Sequence, residues 1–369
     1  MPVLRPRFRL RPSRKDASAF ASPATMVDRL SDLPPPRDNP GKLKGRYYVP
    51  DDLKRPAPLV VVLHGCTQNA AVYDQGSGWS KLADRQGFIL LFPEQARENN
   101  PMLCFNWFEA GDTKRGRGEA ASIAAMVEAM KKAHAIDPQR IFVTGLSAGG
   151  AMAAAMLATY PDRFAAGAII AGVAYGCASG VAEAFDCMGG RGRGGGGAAL
   201  AAKVRRASPH RGPWPRVQVW QGSADRTVVP SNAEAIVRQW AELHGLEPRP
   251  DRTDALAGYP RRTWTGADGT PLIEHVSVTG MAHGIPLDPG TGEHELGEAG
   301  AHMLDVGLSS TGHIAAFFGI APLPAAKALE RRAAAAEPAA RERPTAQPQA
   351  AGGVQATIEQ ALKAAGLMR

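Results

Sequence analysis

The run Ile141-Phe-Val-Thr-Gly145-Leu-Ser147-Ala-Gly149-Gly-Ala-Met-Ala-Ala-Ala-Met-Leu-Ala-Thr159 decides the fold. Its first four residues are β-branched or aromatic, as in a strand buried in a sheet. A helix is expected over 148–159, so strand turns into helix across Gly145-Leu146-Ser147-Ala148-Gly149 alone. Outward from this centre the same alternation repeats. Upstream lie a short strand near 45–50, the buried run Leu59-Val-Val-Val-Leu63, a helix over 79–86 and a strand over 88–92. A helix over 118–134 follows, with Ile123, Met126, Val127 and Met130 on one face. Downstream come a strand over 166–171, then strand 216–220, helix 232–244, strand 273–278 and a helix near 312–318. This rhythm specifies the α/β class: a mostly parallel central sheet with crossover helices on both faces.

The remainder is punctuation. Residues 1–41 are rich in Arg, Pro and Ser without periodicity and read as a disordered basic leader. After residue 172 the rhythm breaks, and the glycine-rich run 189–197 reads as a flexible connector. Residues 322–369 form an Ala/Pro/Arg-rich tail, in which Val354, Ile358, Leu362 and Ala365 share one helical face. The catalytic domain expected from these limits is 42–321.

Composition narrows the function classes. A hydrophobic content of 44% suffices for a large core. The net charge of +8 is largely a property of the leader, where Arg5, Arg7, Arg9, Arg11, Arg14 and Lys15 precede the first acid, so nucleic-acid binding is not expected. No stretch approaches the roughly 20 apolar residues that cross a bilayer. The N-terminus has no signal-peptide core either. Cys66, Cys104, Cys177 and Cys187 lack the CxxC spacing of zinc and thioredoxin sites. Cys66 with Cys104 and Cys177 with Cys187 are candidate disulfides, and four buried reduced thiols are the alternative for a cytosolic protein.

The chemistry starts at Ser147. Gly-x-Ser-x-Gly occurs by chance in a glycine-rich chain, so its context decides. Between a strand and a helix it is a nucleophile elbow, in which the serine takes strained backbone geometry and its neighbours must be small. Such a serine needs a base and an orienting carboxylate, in the chain order Ser, Asp, His for an α/β-hydrolase fold. Asp225 follows the strand 216–220 in a loop, and a helix cap is its alternative role. Among the late histidines, His283 sits in a glycine-flanked loop just past the strand 273–278. His275 lies inside that strand, and solvent exposure accounts for His294 and His302. Backbone N–H groups of Cys66, in the loop after Leu63, and of Ala148 are the candidate oxyanion donors.

Five collinear motifs then carry a resemblance: His64-Gly-Cys-Thr-Gln68, Cys104-Phe-Asn-Trp-Phe108, Gly145-Leu-Ser-Ala-Gly-Gly-Ala-Met152, Trp220-Gln-Gly-Ser-Ala-Asp-Arg-Thr-Val228 and Gly280-Met-Ala-His-Gly284. Together they resemble the polyhydroxybutyrate depolymerase family of esterases, α/β-hydrolases that include feruloyl and acetyl-xylan esterases. The resemblance spans roughly residues 43–320. It implies ester hydrolysis through an acyl-enzyme without cofactor or metal, with Ser147 attacking, His283 moving the proton and Asp225 orienting His283. Trp107, Tyr175 and Trp220, beside the motifs, are candidate groove residues, with core packing as the alternative for each. The chain departs from secreted members in lacking a visible signal peptide and a β-rich polymer-binding module in its tail. An extracellular location is implied by the resemblance, and a cytoplasmic one is the alternative. The expected substrate is a hydroxyalkanoate polymer or oligomer. A carbohydrate esterase is the second reading, and a catalytically silent granule-binding protein the third.

Overall fold

In the computed structural model, residues 27–192, 195–290, 292 and 295–323 are described. The expected tail helix, residues 1–26 of the leader and His294 lie outside them. The apolar runs build one ten-stranded sheet from Ser31–Leu33 (β1), Lys44–Tyr48 (β2), Ala57–Leu63 (β3), Ile89–Glu94 (β4), Ile136–Leu146 (β5), Ala166–Ile170 (β6), Arg216–Gly222 (β7), Arg252–Leu256 (β8), Tyr259–Thr265 (β9) and Pro271–Val278 (β10). Its order is β1-β2-β4-β3-β5-β6-β7-β10-β9-β8. Pairing is parallel from β4 across to β10 and antiparallel at both margins. A separate two-stranded pair joins Ile285–Leu287 (β11) to Met303–Asp305 (β12).

Every residue of β3 is buried, and alternate side chains enter two different cores. Leu59, Val61 and Leu63 pack with the helices Gly118–Ala133 (α3), Ala148–Thr159 (α4), Gly197–Ala207 (α6) and Ser231–His244 (α7). Val60 and Val62 pack on the other face with Ala70–Ser77 (α1), Trp79–Gln86 (α2) and Ser310–Phe318 (α8). Each such aliphatic side chain contributes about 1.5–3 kcal/mol by leaving water, which is why the central strands read as unbroken apolar runs rather than alternating ones. The remaining helix, Val181–Met188 (α5), lies over the strand ends.

The chain leaves β3 for β4 on one side, then returns past β3 to β5 on the other. The loops after β3 and β5 therefore diverge and open a crevice at the carboxyl edge of the sheet, the usual place for a ligand in such folds. Small residues make the next step possible: all of α4 is buried, and a Cβ on Gly150 would stand 2.8 Å from the Ile170 carbonyl oxygen.

Two expectations change, and one element was not foreseen. The sheet already begins with β1, inside the stretch read as a leader, where it pairs with β2, and Arg29 anchors it through Tyr48 and Asp84. The break after residue 172 contains two helices, α5 and α6, on either side of the glycine run. A hairpin, β8–β9, extends the far margin of the sheet; its turn at Ala257 and Gly258 has φ of 52° and 84°. No helix among the described residues is long and apolar enough to cross a membrane.

Candidate active site

Ser147 stands between β5 and α4 with φ 56° and ψ −116°, a left-handed value that a side chain adopts only under constraint. The constraint is backbone crowding. A Cβ on Gly149 would lie 2.3 Å from the Leu63 carbonyl oxygen, and one on Gly145 would lie 2.5 Å from the Gly149 carbonyl carbon. Ser147 N–H donates to the Ile170 carbonyl at 2.9 Å, which ties the turn to β6. The next residue, Ala148, opens α4, where first-turn N–H groups have no acceptor within the helix.

The loop after β3 faces this turn and is braced from below. Cys66 is bonded to Cys104, and Thr67 N–H donates to the Met102 carbonyl at 2.7 Å. His64 is fully buried; its Nδ1–H donates to the Gly65 carbonyl at 2.8 Å, and its Nε2 accepts from Gln95 N–H at 3.1 Å. Burial holds its pKa below the ordinary imidazole value, so the ring is a neutral strut. Gln95 continues the brace by donating to the Cys104 carbonyl at 2.9 Å and to the carboxyl of Glu119. Glu119 accepts as well from Asn106 N–H at 2.9 Å.

Burial pushes the Glu119 carboxyl up to about 8 from its ordinary 4.5, outweighing the hydrogen bonds that oppose the shift. Between those values the folded chain holds a proton that the unfolded chain has released, so this group's stabilisation is full below 4.5 and is lost as pH rises through 8. We expect the Tm of the wild-type chain to fall more steeply from about pH 5 to about pH 8.5 than that of Glu119→Gln, whatever the variant's absolute Tm. Equal slopes in thermal melts would refute titration of this carboxyl in that range.

Asp225 occupies the turn after β7 with its side chain wholly buried. Thr227 N–H and Val228 N–H both donate to Oδ1 at 2.9 Å, and Gln221 Nε2 donates to Oδ2 at 3.0 Å. The remaining donor is His283 Nδ1, at 2.7 Å from Oδ2. A carboxylate only accepts, so Nδ1 carries the hydrogen and Nε2 keeps the lone pair that can receive a proton. The two loops are pressed together at Gly222, where a Cβ would meet the Met281 and Ala282 carbonyl oxygens at 2.3 and 2.6 Å. Backbone bonds step along the sheet edge from the elbow to this pair: Ser147 N–H to Ile170 O, Ala171 N–H to Trp220 O, and Ser223 N–H to Val278 O.

A cavity of about 290 Å³ opens at Ser147, with Cys66 and Ala148 in its lining. Its walls are mainly apolar, from Trp107, Val173, Phe185, Met188 and Val228, with Asn99, Asn100, Asn106, Glu109 and Thr227 as polar members. Of the aromatic residues named from sequence, Trp107 reaches this cavity and the others do not. Trp220 is fully buried on the α8 side of the sheet, with Nε1 donating to Gln218 Oε1 at 2.9 Å, because alternation along β7 turns it into a covered face. The Tyr175 backbone is clamped by the Gln239 amide, and its ring packs against the α7 core. Helix α5 was not foreseen as a wall. Its stripe Val181, Ala184, Phe185, Met188 has the i, i+3, i+4, i+7 spacing that could have revealed it. The Cys177–Cys187 disulfide holds α5, and Val229 N–H donates to the Met188 carbonyl at 3.0 Å. His302, read as solvent-exposed, instead packs edge-on to His283.

The model of the family described as esterase PHB depolymerase matches residues 45–257. The chain belongs to that family. Like its relatives, this esterase is a carboxylic ester hydrolase. It is 48% identical over 283 residues to poly(3-hydroxyalkanoate) depolymerase C of Paucimonas lemoignei, covering 76% of this chain and 68% of the relative. It is 33% identical over 283 residues to an acetylxylan esterase of Coprinopsis cinerea, covering 73% of each. Among solved structures, an acetyl xylan esterase from Aspergillus awamori superposes with a TM-score of 0.67 at 26% identity, covering 79% of this chain and 99% of that one. The esterase thus has the α/β-hydrolase architecture of those enzymes, while His283 and His302 lie beyond the stretch matched by the family model.

Proposed function

We propose that this esterase hydrolyses poly(3-hydroxyalkanoate) chains or their oligomers through a Ser147–His283–Asp225 triad. The reading rests on one observation above all: the His283–Asp225 bond of 2.7 Å fixes the imidazole tautomer that a serine nucleophile requires. Ser147 Oγ attacks the ester carbonyl carbon while its proton passes to His283 Nε2. The carbonyl oxygen becomes an oxyanion facing the Cys66 and Ala148 N–H groups, in a largely apolar cavity where such donors act strongly. Collapse of the tetrahedral adduct breaks the ester C–O bond, and the His283 proton goes to the departing alkoxide. Water, deprotonated by His283, then attacks the acyl-enzyme and releases the acid and Ser147.

Identity of 48% to the depolymerase against 33% to the acetylxylan esterase favours the hydroxyalkanoate ester. The same relatives keep a carbohydrate ester as the second reading. On a panel of 3-hydroxybutyrate trimer, amorphous polymer, acetylated xylan and methyl ferulate, the trimer is expected to have the highest kcat/KM, by about tenfold or more over the carbohydrate esters. The reverse order would move the assignment to the second reading.

A further inference from the structure

His302 reaches the base from a second direction. Its Nδ1 lies 3.0 Å from the His283 carbonyl oxygen, and since a carbonyl only accepts, Nδ1 carries the hydrogen and donates. The two rings meet at 76° with centroids 5.7 Å apart. The His302 backbone grips the same segment: its carbonyl accepts from Ile285 N–H at 2.8 Å, at the start of the parallel β11–β12 pair. Contact is close enough that a Cβ on Gly284 would lie 2.7 Å from the His302 carbonyl oxygen. His302 adopts this position with φ 60°, a left-handed conformation uncommon for any residue but glycine. Side chain, carbonyl and strained backbone of one residue thus converge on the loop His283-Gly284-Ile285.

We infer that His302 is a positioning residue for the base: its Nδ1–H holds the His283 main chain, and with it the imidazole, in the orientation from which Nε2 serves Ser147. This rests on the triad reading above. Asp225 fixes the ring about its Nδ1 edge, whereas His302 fixes the loop from which the ring springs. The Asp225 turn holds the loop on the N-terminal side of His283, through the Ala224 N–H bond to Met281 O at 3.0 Å, whereas His302 holds its C-terminal side, and a displacement of a fraction of an ångström in a base is costly in rate.

The test uses the full chain and a soluble p-nitrophenyl ester. His302→Gly removes the donor and the ring, while His302→Asn keeps an N–H donor at the same number of bonds from the main chain. Both residues tolerate the left-handed backbone. We expect His302→Gly to lower kcat about tenfold with KM within about twofold, and His302→Asn to recover most of the loss. The low-field proton resonance of the His283–Asp225 hydrogen bond should broaden in the glycine variant and return in the asparagine variant. A glycine variant with wild-type kcat, a change confined to KM, or equal losses in both variants would each overturn the inference. His283→Ala run alongside keeps the two ideas separate. Activity surviving that change defeats the triad itself, whereas its loss beside an active His302→Gly defeats only the role of His302.

Discussion

Replacement of Ser147 by alanine is expected to lower kcat on every ester substrate by about 10⁴- to 10⁶-fold, with stability changed by less than about 1 kcal/mol. The hydroxyl is the only group removed. The backbone strain at φ 56° is imposed by Gly145, Gly149 and the Leu63 carbonyl, so it is the same for alanine. The N–H bond from residue 147 to Ile170 also survives, because it belongs to the main chain. What remains in the variant is the loop after β3 and the cavity, and if that loop is the proposed oxyanion hole it should keep a residual acceleration of about 10³- to 10⁴-fold over water. Steady-state hydrolysis with parallel thermal melts checks this, and residual activity above about 1% in a folded variant would remove Ser147 from the nucleophile's role.

Asp225→Asn should cost about 10³- to 10⁴-fold in kcat for a different reason. Four donors converge on the carboxylate: the Thr227 and Val228 N–H groups on one oxygen, and Gln221 Nε2 with His283 Nδ1 on the other. An amide supplies one oxygen. If that oxygen stays with the two backbone donors, its NH2 faces Gln221 and His283. The imidazole must then move its hydrogen to Nε2, leaving no lone pair for the serine proton. If the amide turns over, two backbone N–H groups lose their acceptor instead. Either arrangement leaves a buried donor unmatched, so a stability loss of about 1–3 kcal/mol should accompany the kinetic one. An Asp225→Asn variant with more than about a tenth of wild-type kcat would show that the carboxylate is not needed to set the tautomer.

The parts of this site that were legible in the sequence are those whose residue types are dictated by local backbone geometry. The Ser147 turn demands glycines two residues away on each side, and strand ends locate Asp225 and His283 because those loops begin where apolar runs stop. Residues whose role depends on three-dimensional neighbours were not legible. Trp220 opens a motif yet faces the α8 core, since both faces of β7 are covered and position in a motif does not separate edge from core. The β8–β9 hairpin escaped notice because its strands carry Arg252, Asp254, Arg261 and Arg262 in place of apolar alternation, and its turn opens with Ala257 rather than Asn or Asp. His302 gave no signal at all: its partner is a main-chain carbonyl brought to it by the β11–β12 pair.

The place of β10 in the sheet has a consequence for how the enzyme is made. Strands β3 to β7 can assemble in the order in which they leave the ribosome, and with them come the Ser147 turn, the loop after β3 and Asp225. The β8–β9 hairpin emerges next but has no neighbour to dock on, because β10 lies between β9 and β7. Synthesis of β10 therefore seats the waiting hairpin and, in its following residues, delivers His283 to Asp225. On the proposed triad, a nascent chain would hold its serine before its base, and hydrolytic competence would arrive only as the sheet is completed.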